Sequence, residues 1–147
     1  MRRIKFFVFA IIMFFVAEPA ALAENDTDFL YDFLRGSYEL VGRWPDSNKT
    51  YSGKIVLEKD GGHFRVVRLI NGKKIAGIGK IETATPDKVN VLRIRFKQDE
   101  REYEGTYLIG SDLENYGRLT GYLYLKNGKT KKPGLEAFFI VLDALKK

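Results

Sequence analysis

His63-Phe64-Arg65-Val66-Val67-Arg68-Leu69-Ile70-Asn71-Gly72-Lys73-Lys74-Ile75-Ala76-Gly77-Ile78-Gly79-Lys80-Ile81 decides the fold. Asn71-Gly72 is the strongest short hairpin signal, because both central residues of a two-residue turn need positive φ and Asn and Gly tolerate it. Counting away from that turn, Ile70 faces Lys73, Arg68 faces Ile75, Val66 faces Gly77 and Phe64 faces Gly79. Large side chains stand across from bare glycines, and one face of the pair is mostly apolar.

The period of two extends in both directions. It predicts eight strands, over about 37–43, 49–59, 63–70, 73–83, 88–97, 102–110, 117–126 and 129–142. Turn-forming stretches separate them: Trp44–Asn48, Asp60-Gly61-Gly62, Asn71-Gly72, Thr85-Pro86-Asp87, Gln98-Asp99-Glu100, Ser111–Tyr116 and Asn127-Gly128. Such short connections make neighbouring strands antiparallel. A loose repeat of glycine followed by alternating apolar residues recurs at Tyr51–Leu57, Ile75–Ile81, Tyr103–Ile109 and Leu119–Leu125, and more weakly at Lys132–Phe138. Glycine is unfavourable inside a strand, so its recurrence points to tight bends or close approach of another backbone. A kinked meander of this length can close and remove its edges. Ahead of it, Asp26 or Thr27 can cap a short helix over about 27–35, with Phe29, Leu30, Phe33 and Leu34 on one face and Gly36 ending it. The expected fold is all-β, an eight-stranded antiparallel up-and-down barrel after a short N-terminal helix.

Parity sorts the side chains. If Asn127-Gly128 is also a two-residue turn, Lys126 faces Lys129, Leu123 faces Lys132, Gly121 faces Gly134 and Leu119 faces Glu136. The glycine face then carries Ile55, Leu57, Phe64, Val66, Ile81, Ile109, Leu119, Leu123 and Phe138, and reads as the interior. Tyr38, Tyr51, Tyr103, Tyr107, Arg68 and Glu136 share it. Lone charges inside are costly, so Arg68 and Glu136 need partners. Apolar walls with a few convergent polar groups also describe a ligand site. The ligand-binding candidates are Tyr38, Tyr51, Phe64, Arg68, Tyr103, Tyr107, Glu136 and Phe138. On the eighth strand Ala137, Phe139 and Val141 face outward, and the N-terminal helix or a second copy of the chain is expected to cover them.

The first 23 residues read as an export signal. Arg2, Arg3 and Lys5 form a basic start, Phe6–Ala17 runs without a charge, Glu18-Pro19 breaks the run, and Ala21-Leu22-Ala23 is a small-x-small cleavage site. The twelve apolar residues are too few for a membrane span, which needs about 20. Cleavage removes three bases and one acid, leaving a single domain over 24–147 with 22 bases against 18 acids, a net +4. So mild a surplus, on an exported chain, gives no reason to expect nucleic acid. The chain has no cysteine, so in a periplasmic or secreted setting its core and strand pairing must suffice.

The helical turn, Gly36-Ser37-Tyr38 opening the first strand and the eight meandering strands together resemble the calycin barrels, lipocalins and avidins among them. Tyr38 stands where the lipocalin Gly-x-Trp signature has tryptophan. The resemblance implies a small ligand in the barrel mouth and assigns no ligand residue.

Catalytic signals are sparse. His63 is the only histidine and sits at a hairpin base without the partners a triad or metal site needs. Asp112, Glu114 and Asn115 match no calcium-loop spacing. Arg93, Arg95 and Lys97 alternate with Leu92, Ile94 and Phe96 and read as a solvated outer face. Glu136 lacks a partner acid or base for catalysis. The sequence therefore points to an exported, non-enzymatic protein that binds a small, partly apolar ligand without cofactor or metal. The competing reading is a ligandless envelope module, an inhibitor, immunity or adhesion protein, working through its outer surface.

The export reading makes one firm prediction. N-terminal sequencing of the protein from its source cell should begin at Glu24, and a retained Met1–Ala23 segment would refute it.

Overall fold

The structure, a computed structural model, describes residues 21–110 and 119–141. Helix α1 (Ala21–Leu34) precedes eight strands: β1 (Gly36–Arg43), β2 (Thr50–Asp60), β3 (His63–Ile70), β4 (Lys73–Ala84), β5 (Val89–Gln98), β6 (Arg101–Ile109), β7 (Leu119–Leu125) and β8 (Gly134–Ile140). The strands pair antiparallel in sequence order, and β1 pairs with β8 to close the barrel. Asn71 and Gly72 hold φ of 50° and 76°, both left-handed, and the β3–β4 register is the one the sequence predicts, from Phe64↔Gly79 to Ile70↔Lys73. Closure pairs each of the described strands on both sides.

The interior assignment by parity holds. Tyr38, Ile55, Leu57, Phe64, Val66, Leu119, Leu123 and Phe138 are buried, with Tyr51, Tyr103, Tyr107, Arg68 and Glu136 among them, while Ile81 and Ile109 pack against this core partly buried. The loop candidates Asp112, Glu114 and Asn115 lie outside the described residues.

The helix turns a different face inward from the one expected. Tyr31 and Leu34 are buried, whereas Phe29 and Phe33 are 66% and 40% exposed and stack on each other. The inward stripe is half-buried Leu30 with buried Tyr31 and Leu34, at helical i, i+1, i+4 spacing, and it wins because Tyr31 can hydrogen-bond where phenylalanine cannot. Its hydroxyl donates to the Gly62 carbonyl at 2.8 Å and accepts the Ile81 N–H at 3.1 Å. Lys59 binds Asp28 and Asp32 at 2.7 and 3.0 Å, fixing α1 over the β2 and β4 end of the barrel. On the eighth strand Phe139 is 39% exposed, and Val141, half-buried, donates its N–H to Ser37 O.

The last hairpin also differs. Asn127-Gly128 is not the two-residue turn expected, since neither residue has positive φ and Lys126 does not face Lys129. Residues 126–133 form an eight-residue connection, and β8 begins at Gly134. Asp46, in the turn after β1, captures that segment: Oδ1 accepts the Lys131 and Lys132 N–H groups at 2.9 and 2.7 Å, and the Asp46 N–H donates to Lys132 O. Pro133 then removes a ladder donor. The observed register pairs Leu119 with Phe138, Gly121 with Glu136 and Leu123 with Gly134. The slip from expectation is two residues, so every side chain keeps its face.

Candidate functional site

The corrected register lines up one row across five strands. Tyr51 on β2 pairs with Gly42 on β1, Gly42 with Glu136 on β8, Glu136 with Gly121 on β7, and Gly121 with Tyr107 on β6. Glu136 thus has a bare glycine on each side, and beyond each glycine a tyrosine that hydrogen-bonds the Glu136 carboxylate. Tyr51 donates to Oε1 and Tyr107 to Oε2. Arg68, entering from β3, closes the set: Nη2 donates to Oε1, and Nη1 to Oε2 at 3.2 Å. Four donors from three strands converge on one carboxylate, in the bidentate geometry that makes arginine–carboxylate pairs strong.

This carboxylate needs that full set because the site is dry. Arg68, Tyr107 and Glu136 are 0%, 0% and 3% exposed. Burial and then the Glu136 charge push the Tyr51 and Tyr107 hydroxyls well above their ordinary value, with Arg68 opposing. Burial alone would pull the Arg68 guanidinium down, but the Glu136 carboxylate more than offsets it and the net shift is upward. The guanidinium also lies over the Phe96 ring at 4.0 Å, a cation–π contact. Only its Nε lacks a partner.

The glycines are what admit the tyrosines. A Cβ at Gly42 would come within 2.6 Å of the Tyr51 ring, and one at Gly105 would collide with the Tyr107 ring. The room these glycines leave is taken by aromatic rings, and at Gly53 and Gly121 by a neighbouring strand's carbonyl. It is not ligand volume. The remaining sequence candidates stack above and below the polar centre. Tyr103 lies between Phe96 and Trp44 (5.2 and 5.4 Å between centroids), and Trp44 stacks on Tyr51 at 4.3 Å, roofing one end. Toward the helical end, Phe138 packs on Tyr107 and Tyr38, and Phe64 packs on Tyr31. The Tyr38 hydroxyl donates to Leu34 O at 2.7 Å, and burial pushes its pKa up to about 12. All eight candidates are therefore interior, and three of them, Tyr51, Arg68 and Tyr107, meet at Glu136. Trp44 and Tyr31, which close the two ends, were not singled out by the sequence: one sits in a turn and the other off the face chosen for the helix.

Outside, His63 is half-buried and 3.8 Å from Asp60. Arg93 and Arg95 are engaged by Glu82 and Glu104, at 2.6 Å for the Arg95–Glu104 pair, so that wall is largely neutralised. Among the described residues no group of three or more His, Asp or Glu side chains is placed to hold a metal.

A large open concavity lies on the barrel's outer wall. A groove of about 1210 Å³ crosses β6, β7, β8, β1 and β2. Exposed Val41, Leu108, Tyr122, Tyr124 and Leu135 rise around it, and Gly42, Gly121 and Ala137 form its low floor. The alternation signalled these residues only as outward-facing. No model of a known protein family matches the chain, and no curated protein matches it significantly.

Two predictions follow from the polar row. In urea melts, Glu136→Ala and Arg68→Ala should each lose about 3–5 kcal/mol, since each leaves an unpaired buried charge; a loss below about 1 kcal/mol would mean the site is wet. The second concerns alkali. A hydroxyl whose folded pKa exceeds its unfolded value of 10.0 stabilises the fold only while protonated. Stability should therefore be level up to about pH 10 and fall as pH rises past it, with Tyr38 ionising in the fold only near pH 12 and Tyr51 and Tyr107 only on unfolding. Ultraviolet titration checks this, and all tyrosines ionising near pH 10 in folded protein would contradict it.

Proposed function

We propose that this chain is an exported, non-catalytic binding module on a calycin-like barrel, and that it holds a partly apolar partner molecule on its outer wall. The observation that carries the reading is the contrast between the two sides of the sheet. Inside, Tyr51, Tyr107 and Arg68 already saturate Glu136, and large fully buried side chains fill the space. Outside, the groove leaves five large apolar or aromatic side chains at least 40% exposed, a concentration typical of an interaction site. The groove keeps the bound, partly apolar molecule of the leading sequence reading and moves it to the outer surface that the ligandless-module reading invoked.

Export is supported by the basic start, the short apolar run and Ala21-Leu22-Ala23, and it implies a periplasmic or secreted location. Cleavage there would leave the buried anchors Tyr31 and Leu34 in the mature helix. Among the described residues no helix is long and apolar enough to cross a membrane. The outer wall also carries Lys54, Arg65, Lys80 and Arg93 on successive strands, which argues against lipid around the barrel. The calycin-like assignment is supported by the helical turn leading through Gly36-Ser37-Tyr38 into an eight-stranded meander. The reading of a ligand inside the barrel keeps one supporting observation, the unpartnered Arg68 Nε, a single donor beside a ring.

Native mass spectrometry of protein purified from its own host tests the proposal. A co-purified molecule should be lost from Leu135→Asp and retained by Tyr107→Phe. The reverse pattern, or no adduct on the unaltered protein, would overturn it.

A further inference from the structure

The groove has one end unlike the other. Arg43 lines it at the rim, where Nη2 donates to Pro133 O at 3.3 Å. That contact joins the groove to the connection between β7 and β8, where Lys129, Lys131 and Lys132 border a second depression with Asp46, Ser47 and Asn48. Four cations gather there. Among the described residues none of them has a carboxylate within ion-pair distance, in contrast to Arg93 and Arg95 on the opposite wall. Asp46, the one acid in that depression, has Oδ1 occupied by two backbone N–H groups.

An apolar trough that ends at an uncompensated cationic corner has a polarity, and its occupant should share it. Resting on the outer-groove reading above, we infer that the groove takes a single-chain anionic amphipath. Its hydrocarbon lies along Val41, Leu108, Tyr122 and Leu135, and its head meets Arg43 and the lysines of the β7–β8 connection. From Thr120 to Tyr124 the trough follows β7 for about 13 Å at roughly 3.3 Å per residue, the length of about ten extended methylenes. The walls are alkyl and aromatic, the surface that gains most from covering methylenes. Among the described strands the closed barrel has no edge to which a peptide strand could add, so backbone pairing there is not available as an alternative. The four cations complement an anion and repel a cation of the same chain length.

The test uses the mature protein at low salt with monomeric probes: octanoate, decanoate and dodecanoate, the matched cation dodecyltrimethylammonium, and anionic vesicles. Dodecanoate should bind at least tenfold tighter than dodecyltrimethylammonium, and affinity should rise several-fold with each added pair of methylenes. The preference should shrink in 0.5 M salt and vanish in Lys131→Glu/Lys132→Glu, while Leu135→Asp abolishes binding of both probes. Tyr122→Ser and Val41→Ser, both at exposed positions, serve if Leu135→Asp does not fold. Equal binding of both probes, lost in Leu135→Asp, would overturn the anionic head and leave the groove standing. Dodecanoate binding that ignores every groove substitution would overturn both readings. Binding to vesicles with none to monomeric dodecanoate would also overturn the inference, making the wall a membrane dock.

Discussion

A carboxylate in the middle of a closed barrel, with water excluded, must have its charge answered by the protein itself. Glu136 sets that condition, and much of the chain is arranged around it. Its four hydrogen bonds come from β2, β3 and β6, so the network ties β8 to three strands, none of which is its ladder neighbour. Backbone ladders join neighbours only. The buried pair adds cross-barrel contacts that hold only when all four strands are in register, a specificity role of the kind buried polar groups sometimes fill. Whether a hydrophobic core of the same volume would be more stable is a separate matter, and by general experience it often is.

Much of this was legible in the chain, for identifiable reasons. A period of two fixes which face each residue occupies, and Asn71-Gly72 fixes one register outright, so the inward placement of Arg68 and Glu136 required no structure. The expected turn at Asn127-Gly128 was wrong, yet it cost nothing in facing, because a shift of two residues preserves parity. It did hide the row itself. With Gly121 set against Gly134, Glu136 faced Leu119, and the alternation of tyrosine, glycine, glutamate, glycine and tyrosine could not be seen. The turn failed through a contact no local pattern encodes: Asp46, about 85 residues upstream, takes the Lys131 and Lys132 amides. The helix face failed similarly, since Tyr31 is drawn inward by Gly62 O and Ile81 N–H across the barrel. Long-range polar capture, in both places, overrode a sound local reading.

The glycine repeat also changes meaning once the row is known. Read from the sequence, the recurring glycines on the inner face point to tight bends or close approach of another backbone. In the barrel they give close strand approach at Gly53 and Gly121, and room for tyrosine rings at Gly42 and Gly105. An aromatic lying over a strand glycine restores the apolar contact that the missing side chain would have made. Here the ring also carries a hydroxyl to the carboxylate, so packing and charge neutralisation are served by the same two residues.

Gly42 and Gly121 have a second consequence on the other side of the sheet. A strand position without a side chain thins the wall, and these two flank Glu136 where the outer groove is floored. Tyr51 and Glu136 themselves contribute to that floor. The groove and the buried network are thus two faces of one layer of backbone, and a change that widens one must press on the other. An added Cβ at Gly42 would push Tyr51 from Glu136 before it altered the groove's rim. The pairing gives the groove a rigid floor, because its backbone is pinned from beneath by charge-assisted hydrogen bonds rather than by packing alone. A rigid floor lowers the ordering cost of binding. On the outer-groove reading proposed above, the interior network is the support of that outward-facing surface.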